Sequence, residues 1–158
     1  MISITRPDLI FKDVLPIYDV TFIGNLHGER QAYANAVGFI NITNAYGHEH
    51  AVVVGQSKIN LNFTEASAGT SDRTYKVLAA GGFLLTQPWE NMERDFVPGE
   101  DFIVFNSIQQ LQDSIRFYLK QELLRAKISS SGCLKVQKFS RMFWARSILE
   151  KISISAVK

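Results

Sequence analysis

Short apolar runs alternate with helix-compatible segments over most of the chain. The first run, Val20 to Ile23, has the length of a buried strand and stops at Gly24-Asn25. The same reasoning predicts further strands at residues 39–42, 58–63, 83–86 and 102–105. In the strand at 58–63, apolar and polar residues alternate, which indicates that one face lies in the core. Strands separated by helices indicate an α/β fold, a parallel sheet flanked by helices with right-handed crossovers.

Helical patterns fill most of the intervals between the predicted strands. They cover residues 28–37, the segment that ends at Gly81-Gly82, residues 89–96, the segment that begins after Ser107, and residues 139–152. Ser107 and Gln110 form a capping-box pattern, and Ser129 to Gly132 are expected to break the helix that it opens. The pattern does not indicate whether residues 51–56 form a helix, a strand or a loop.

Length and composition fit one compact domain with terminal extensions. With 158 residues, 46% hydrophobic and 20% charged, the chain can bury a core of its own. Residues 1–17, which contain Pro7 and Pro16, are predicted to be a lead-in segment. The domain is predicted to span residues 18–152, and residues 153–158 are predicted to be a tail.

Charge and cysteine content limit the possible partners and compartments. The 17 basic residues are spread along the chain and the net charge is +2, which tolerates an anionic ligand but does not indicate nucleic-acid binding. The single cysteine, Cys133, excludes an intrachain disulfide and fits a structural position in a reducing compartment. Neither a membrane-spanning apolar run nor a signal-peptide pattern is visible, so we expect a cytoplasmic protein with no membrane span.

Two loops are candidates for ligand binding, because ligands of open parallel sheets bind beyond the carboxyl ends of the strands. The first loop follows Ile23 and contains Gly24, Asn25 and Arg30. Its glycines allow close approach of a ligand to the backbone, and Arg30 could reach a phosphate. A tight turn with a solvated Arg30 explains the same residues without a ligand.

The second loop is rich in small residues and leads into a predicted helix. It contains Gly69, Thr70, Ser71, Asp72 and Arg73. The unpaired amides and the positive dipole end of a helix start bind anions, so this loop fits a diphosphate. Ser71 or Asp72 fits a helix cap equally well.

The histidines do not predict a metal site. His48 and His50 are the only close pair, and side chains two positions apart converge only on an extended strand. The sequence indicates no third ligand, which a zinc site would need.

A long stretch of the sequence resembles a known family. Residues 18–25, 57–63, the segment from Asp72 to Thr86, and residues 96–105 are similar, in this order, to the C-terminal domain of group-one glycosyltransferases. Within that group, the chain is most similar to the spore maturation protein-like branch. The resemblance covers about residues 18–152, and it implies one half of a GT-B architecture, in which two Rossmann-like domains face each other across a cleft.

The resemblance also implies a function and a site. The C-terminal domain of such enzymes holds a nucleoside diphosphate sugar, which places Gly24, Asn25 and Arg30 beside the diphosphate and Gly69 to Arg73 opposite the donor. Loop amides and basic side chains carry the charge of the leaving diphosphate, so no metal is expected. An N-terminal acceptor domain or a partner chain would supply any catalytic base. The chain alone is therefore expected to be inactive, and no catalytic residue is assigned in it.

Two positions depart from the family pattern. Lys76 stands where many relatives carry a glutamate that binds the ribose of the nucleotide, and Ala68 stands at an acidic position eight residues earlier. Asp72 or Glu65 could take over ribose binding, or Lys76 could contact phosphate. The rival prediction is a non-catalytic Rossmann-like interaction module that has lost nucleotide binding.

Overall fold

Strands and helices alternate through the parts of the chain that the computed structural model describes, residues 14–64 and 71–139. The strands are β1 (Tyr18–Ile23), β2 (Ile40–Ile42), β3 (Ser57–Asn62), β4 (Leu84–Thr86) and β5 (Ile103–Val104). The helices are α1 (Arg30–Val37), α2 (Gly47–Gly55), α3 (Asp72–Ala79), α4 (Ile108–Tyr118) and α5 (Glu122–Val136), with 3₁₀ turns at Met92–Arg94 and Gln137–Phe139.

All five described strands form one parallel sheet in the order β2-β1-β3-β4-β5. The predicted α/β fold, a Rossmann-like parallel sheet flanked by helices, is confirmed. Strand β2 lies on one side of β1 and the later strands lie on the other, so the direction of strand addition reverses between β1 and β3. Such a reversal opens a crevice at the carboxyl ends of two neighbouring strands. We call the region beyond Ile23 and Asn62 the switch-point crevice.

Helices cover both faces of the sheet. Helices α1 and α4 pack on one face, over a core that includes Phe22 and Leu61. Helices α2 and α3 and the end of α5 pack on the other face, over a core that includes Val54 and Leu78. Parallel strands covered on both faces are apolar along their length. This explains why most of the strands are recognisable in the sequence as short apolar runs.

Helix α2 is not predicted by the sequence pattern. Its centre contains Val52, Val53 and Val54, and β-branched side chains lower helix propensity. Packing outweighs that local preference, because Ala51 and Val54 are each only 1% exposed against the rest of the core.

The predicted short helix at residues 89–96 is wrong. Only Met92–Arg94 forms a 3₁₀ turn. Asn91 has a φ of 60°, a left-handed conformation through which an α-helix does not continue. The segment is anchored instead by its aromatic ends, since the Trp89 and Phe96 rings pack on each other with centroids 6.3 Å apart.

The predicted helix break at Ser129 to Gly132 is also wrong, because α5 runs through these residues. The break lies earlier, between Tyr118 and Glu122. There, Arg125 Nη1 donates to the carbonyl of Tyr118 and, at 3.1 Å, to that of Leu119, so it satisfies groups that the end of α4 leaves unpaired.

The start of α4 follows the predicted cap closely. Ser107 Oγ accepts a hydrogen bond from the Gln110 amide at 3.2 Å. Gln110 Oε1 accepts from the Asn106 amide at 2.7 Å, one residue before the position that a capping box predicts.

No helix within the described ranges is long and apolar enough to cross a membrane. The predicted tail at 153–158 and most of the predicted helix at 139–152 lie outside the described residues, as does the lead-in before Val14.

Candidate functional site

Arg73, near the start of α3, lies in the switch-point crevice. Its Nε donates to the Ile23 carbonyl at the end of β1 at 2.6 Å, and its Nη1 donates to Asn62 Oδ1 at the end of β3 at 3.0 Å. The guanidinium carbon lies 4.7 Å from the centroid of the Phe22 ring. Arg73 therefore bridges the two strands that flank the crevice, while its Nη2 makes no hydrogen bond to any described residue.

The charge of Arg73 has no carboxylate partner within residues 14–64 and 71–139, because none of the ion pairs there includes it. Burial, followed by the neighbouring charge of Arg30, lowers the pKa of Arg73 below its ordinary value. The charge of Asp72 opposes this shift only in part. A guanidinium stays protonated even so, and a partly buried charge outside any ion pair is costly. An anion bound in the crevice would offset this cost.

Gly24 allows the guanidinium to approach the backbone at the end of β1. A Cβ at this position would lie 2.6 Å from Arg73 Nη2 and 3.2 Å from Phe22 Cζ, and the φ of Gly24 is +148°. Asn41 of β2 braces the same turn, since its Nδ2 donates to the carbonyls of Phe22 and Gly24 at 3.2 and 2.7 Å. Gly24 of the first predicted loop therefore leaves room for the side chain of Arg73, which belongs to the second predicted loop.

Arg30, the first residue of α1, folds back over its own loop. Its Nη1 donates to the Asn25 carbonyl at 3.2 Å and lies 2.6 Å from His27 Nε2. Its guanidinium carbon is 5.8 Å from the centroid of the Phe22 ring, the same ring that Arg73 contacts. The structure therefore brings Arg30 and Arg73, predicted in two separate loops, to a shared aromatic side chain.

An open pocket of about 490 Å³ lies beside Arg30 at the carboxyl edge of the sheet. Its lining includes Tyr33, Phe63 and Phe105, whose rings pack on one another with centroids 5.1 to 5.9 Å apart. These three side chains are 8% exposed or less, so they give the pocket an apolar floor that the core holds rigid.

The rim of this pocket is polar and preorganised. Gln87 Oε1 accepts from the Thr64 amide at 3.1 Å, and Gln87 Nε2 donates to the Tyr33 hydroxyl at 3.4 Å. Sequence reasoning missed these residues, because Tyr33 has the pattern of a helix core residue and Gln87 lies in a Gln-Pro turn. The position of Gln87 directly after a strand is the one signal in the sequence that could have indicated its role.

The second predicted loop is only partly described, since Gly69 and Thr70 lie outside the described residues. Ser71 takes the N-cap position of α3, but its hydroxyl donates to Asn62 Oδ1 at 2.9 Å and does not cap the helix. Asp72 pairs with Lys76 at 2.6 Å on the same helix. The hydrogen bond from Lys76 lowers the pKa of Asp72 below its ordinary value.

The chain matches one protein family in sequence and several solved structures in fold. Residues 7–148 match the sequence model of the family described as Glycosyl transferase-like. A comparison with curated protein sequences finds no match. Among solved structures, the chain is similar to sucrose-phosphate synthase from Thermosynechococcus elongatus, at 11% identity and a TM-score of 0.65, over 98% of this chain and 52% of that protein.

Two further solved structures share the fold. TarM matches at 11% identity with a TM-score of 0.63, over 96% of this chain and 36% of TarM. AviGT4, a glycosyltransferase involved in avilamycin A biosynthesis, matches at 13% identity with a TM-score of 0.53, over 88% of this chain and 55% of AviGT4. The chain thus spans about half the length of these proteins or less. The likeness establishes the fold, that of a GT-B glycosyltransferase domain.

Proposed function

This chain belongs to the glycosyl transferase-like family, and from that membership we propose that it is the donor-binding domain of a glycosyltransferase. The ligand is a nucleoside diphosphate sugar whose diphosphate lies in the switch-point crevice. An N-terminal domain or a partner chain supplies the acceptor site, so the domain alone does not transfer sugar. Assignment to the spore maturation protein-like branch and to the cytoplasm is part of the same proposal.

The observation that carries this proposal is that Arg73 forms no ion pair with any residue in the described ranges. A guanidinium held between two strand ends, in no ion pair with a described carboxylate because the neighbouring Asp72 pairs with Lys76, is suited to a ligand that brings negative charge. The neighbouring charge of Arg30 strengthens the argument, because it lowers the pKa of Arg73 and an anion between the two relieves their repulsion.

The pocket beside Arg30 fits the uncharged part of the same ligand. Arg30 lines this pocket and also lies over the Phe22 ring next to Arg73, so the pocket and the crevice are adjacent. Small-molecule pockets have volumes of about 300–1,000 Å³, an apolar lining and a few fixed polar groups. The aromatic floor and the Thr64 and Gln87 rim meet this description and suit a nucleoside.

In sugar transfer, negative charge develops on the diphosphate as the bond from the sugar to the phosphate oxygen breaks. Hydrogen bonds to Ile23 and Asn62 already hold Arg73 in the crevice, so in the proposed complex it would need no reorganisation as the charge grows. Arg73 and Arg30 would therefore stabilise the leaving group, and the chemistry on the acceptor would come from outside this chain.

Calorimetric titration of the purified chain with UDP, GDP and ADP tests the proposal, together with the variant Arg73→Ala. We expect at least one nucleotide to bind, and Arg73→Ala to weaken that binding by about tenfold or more, because a charge-assisted contact is lost. Arg116→Ala is the matched control, since Arg116 is exposed on α4 and pairs with Asp113. The affinity of the Arg116→Ala variant for the nucleotide should stay within about twofold of that of the wild type.

A second candidate function is favoured by one feature of α3. Lys76 is held by Asp72 at 2.6 Å, in the place where the resemblance expects a ribose-binding glutamate. A non-catalytic interaction module would have this arrangement without a nucleotide. Absence of binding by all three nucleotides, in a sample shown to be folded by circular dichroism, would favour the module over the donor domain.

A further inference from the structure

Asn62, at the carboxyl end of β3, is fully buried and uses both ends of its amide. Its Nδ2 donates to Thr74 Oγ1 at 3.1 Å and to Thr86 Oγ1 at 3.0 Å. Its Oδ1 accepts from Ser71 Oγ at 2.9 Å and from Arg73 Nη1 at 3.0 Å. The two threonines therefore fix the orientation of the amide so that its oxygen faces the crevice.

The network specifies an amide at this position and disfavours the isosteric carboxylate. The Thr86 hydroxyl donates its proton to the Gln87 carbonyl at 2.9 Å, so toward Asn62 it can only accept. A carboxylate in place of the amide would face the lone pairs of Thr86 without a proton between them. It would also form an ion pair with Arg73 and cancel the charge that the crevice presents.

We propose that Asn62 is the positioning residue that aims the Arg73 guanidinium at the diphosphate while leaving its positive charge available to the ligand. The proposal rests on the proposed function and adds a requirement to it. If the guanidinium is to keep its positive charge for the ligand, the group that accepts its hydrogen bond must be uncharged. The amide oxygen of Asn62, on the buried strand β3, is such an acceptor. Asn62 acts through Arg73 and does not itself contact the ligand.

The variant Asn62→Asp tests this role directly. It keeps the shape of the side chain and places a negative charge within hydrogen-bond distance of Arg73 Nη1. We expect the affinity of the folded protein for inorganic pyrophosphate, and for whichever of UDP, GDP and ADP the wild type binds, to fall by about tenfold or more at pH 7.5, by calorimetry. Asn60→Asp is the matched control, because Asn60 is also buried on β3 but bonds to the Val54 and Phe83 carbonyls. Its affinity per folded molecule should stay within about twofold of the wild type.

A double-mutant cycle separates positioning from a general effect on the fold. If Asn62 acts through Arg73, then Asn62→Asp changes the residual pyrophosphate affinity of an Arg73→Ala background by less than about twofold. Thr74→Val provides a second route if Asn62→Asp does not fold. It removes one acceptor of the Asn62 amide without adding charge, and it should weaken binding by about threefold in the wild type but not in Arg73→Ala.

The outcomes distinguish this inference from the proposed function. If the wild type binds a nucleoside diphosphate or pyrophosphate and Asn62→Asp binds equally well, the positioning role is overturned and the donor-binding proposal stands. Equal losses in the wild-type and Arg73→Ala backgrounds would also overturn it. If the folded wild type binds no nucleoside diphosphate and no pyrophosphate, both proposals fail together.

Discussion

The buried His50 of α2 lies close to the charged residues Asp72, Arg73 and Lys76 of α3. His50 is 8% exposed, and burial, followed by the charges of Lys76 and Arg73, lowers its pKa to about 4, against a smaller opposing effect of Asp72. The imidazole is therefore neutral in the folded protein at neutral pH. The same cationic surroundings that suit an anionic ligand thus disfavour a third positive charge next to Arg73.

This neutral imidazole gives the protein a pH-dependent stability. The unfolded chain binds a proton at His50 below a pH of about 6.5, whereas the folded chain does so only near 4, so the free energy of unfolding falls as the pH drops through this window. The full effect is about 3 kcal/mol. We expect His50→Gln to reduce the decrease in melting temperature between pH 6.5 and 4, measured by circular dichroism.

His48→Gln is the control for this prediction, because His48 is an exposed residue of the same helix. Carboxylates also titrate in this pH range, so the informative quantity is the difference between the two variants. Equal pH profiles for wild type, His48→Gln and His50→Gln would show that His50 is not buried in its neutral form.

At the scale of elements, α5 is attached to the sheet through the turn that precedes β5. Asp101, which is 1% exposed, accepts from the Val97 amide at 2.7 Å and from Ser131 Oγ at 2.6 Å. Next to Ser131, a Cβ on Gly132 would lie 2.4 Å from the Asp101 carbonyl oxygen and 2.8 Å from Leu78 Cδ2. A small residue is therefore needed here for close packing and not, as the sequence pattern indicates, for a helix break.

Gly132→Ala is expected to destabilise the protein despite the higher helix propensity of alanine. The new methyl group overlaps backbone, which cannot move without shifting the turn at Asp101, and such overpacking costs about 1–3 kcal/mol. Urea unfolding measures the change. Ser130→Ala, at an exposed position of the same helix, should change the unfolding free energy by less than about 0.5 kcal/mol. A Gly132→Ala variant as stable as the wild type would contradict the close packing of α5.

The sequence predicts most of the strands of this fold but less of its site. Ile59, Leu61 and Phe63 identify β3 because they alternate with polar residues, yet Asn62 on the other side is buried and not solvated. Its role depends on contacts with α3 and β4, and such contacts depend on which elements become neighbours. The same holds for Arg73, whose bond to the Ile23 carbonyl joins positions 50 residues apart.

At the scale of the whole molecule, the small net charge of +2 contrasts with the local concentration of positive charge at the switch point. A protein with so little net charge attracts anions only weakly overall. Affinity for a diphosphate would therefore come from the geometry around Arg73 and Arg30. It should saturate at one ligand per chain, and neutral nucleosides should compete poorly with pyrophosphate.

One half of a GT-B architecture is not expected to transfer sugar by itself. In the proposed function, Arg73 and Arg30 stabilise the leaving diphosphate, whereas the positioned acceptor and any general base that transfer needs come from another domain or chain. We expect the purified chain to bind a nucleoside diphosphate and to release none from UDP-, GDP- or ADP-sugars above the buffer rate, followed by phosphorus NMR. Thermal stabilisation by the nucleoside diphosphate, about 2.7 kcal/mol at a ligand concentration of 100 times Kd, shows that the same sample is competent to bind. Release that disappears in Arg73→Ala would mean that this domain contains its own catalytic group, and the crevice opposite Arg73 would be the place to find it.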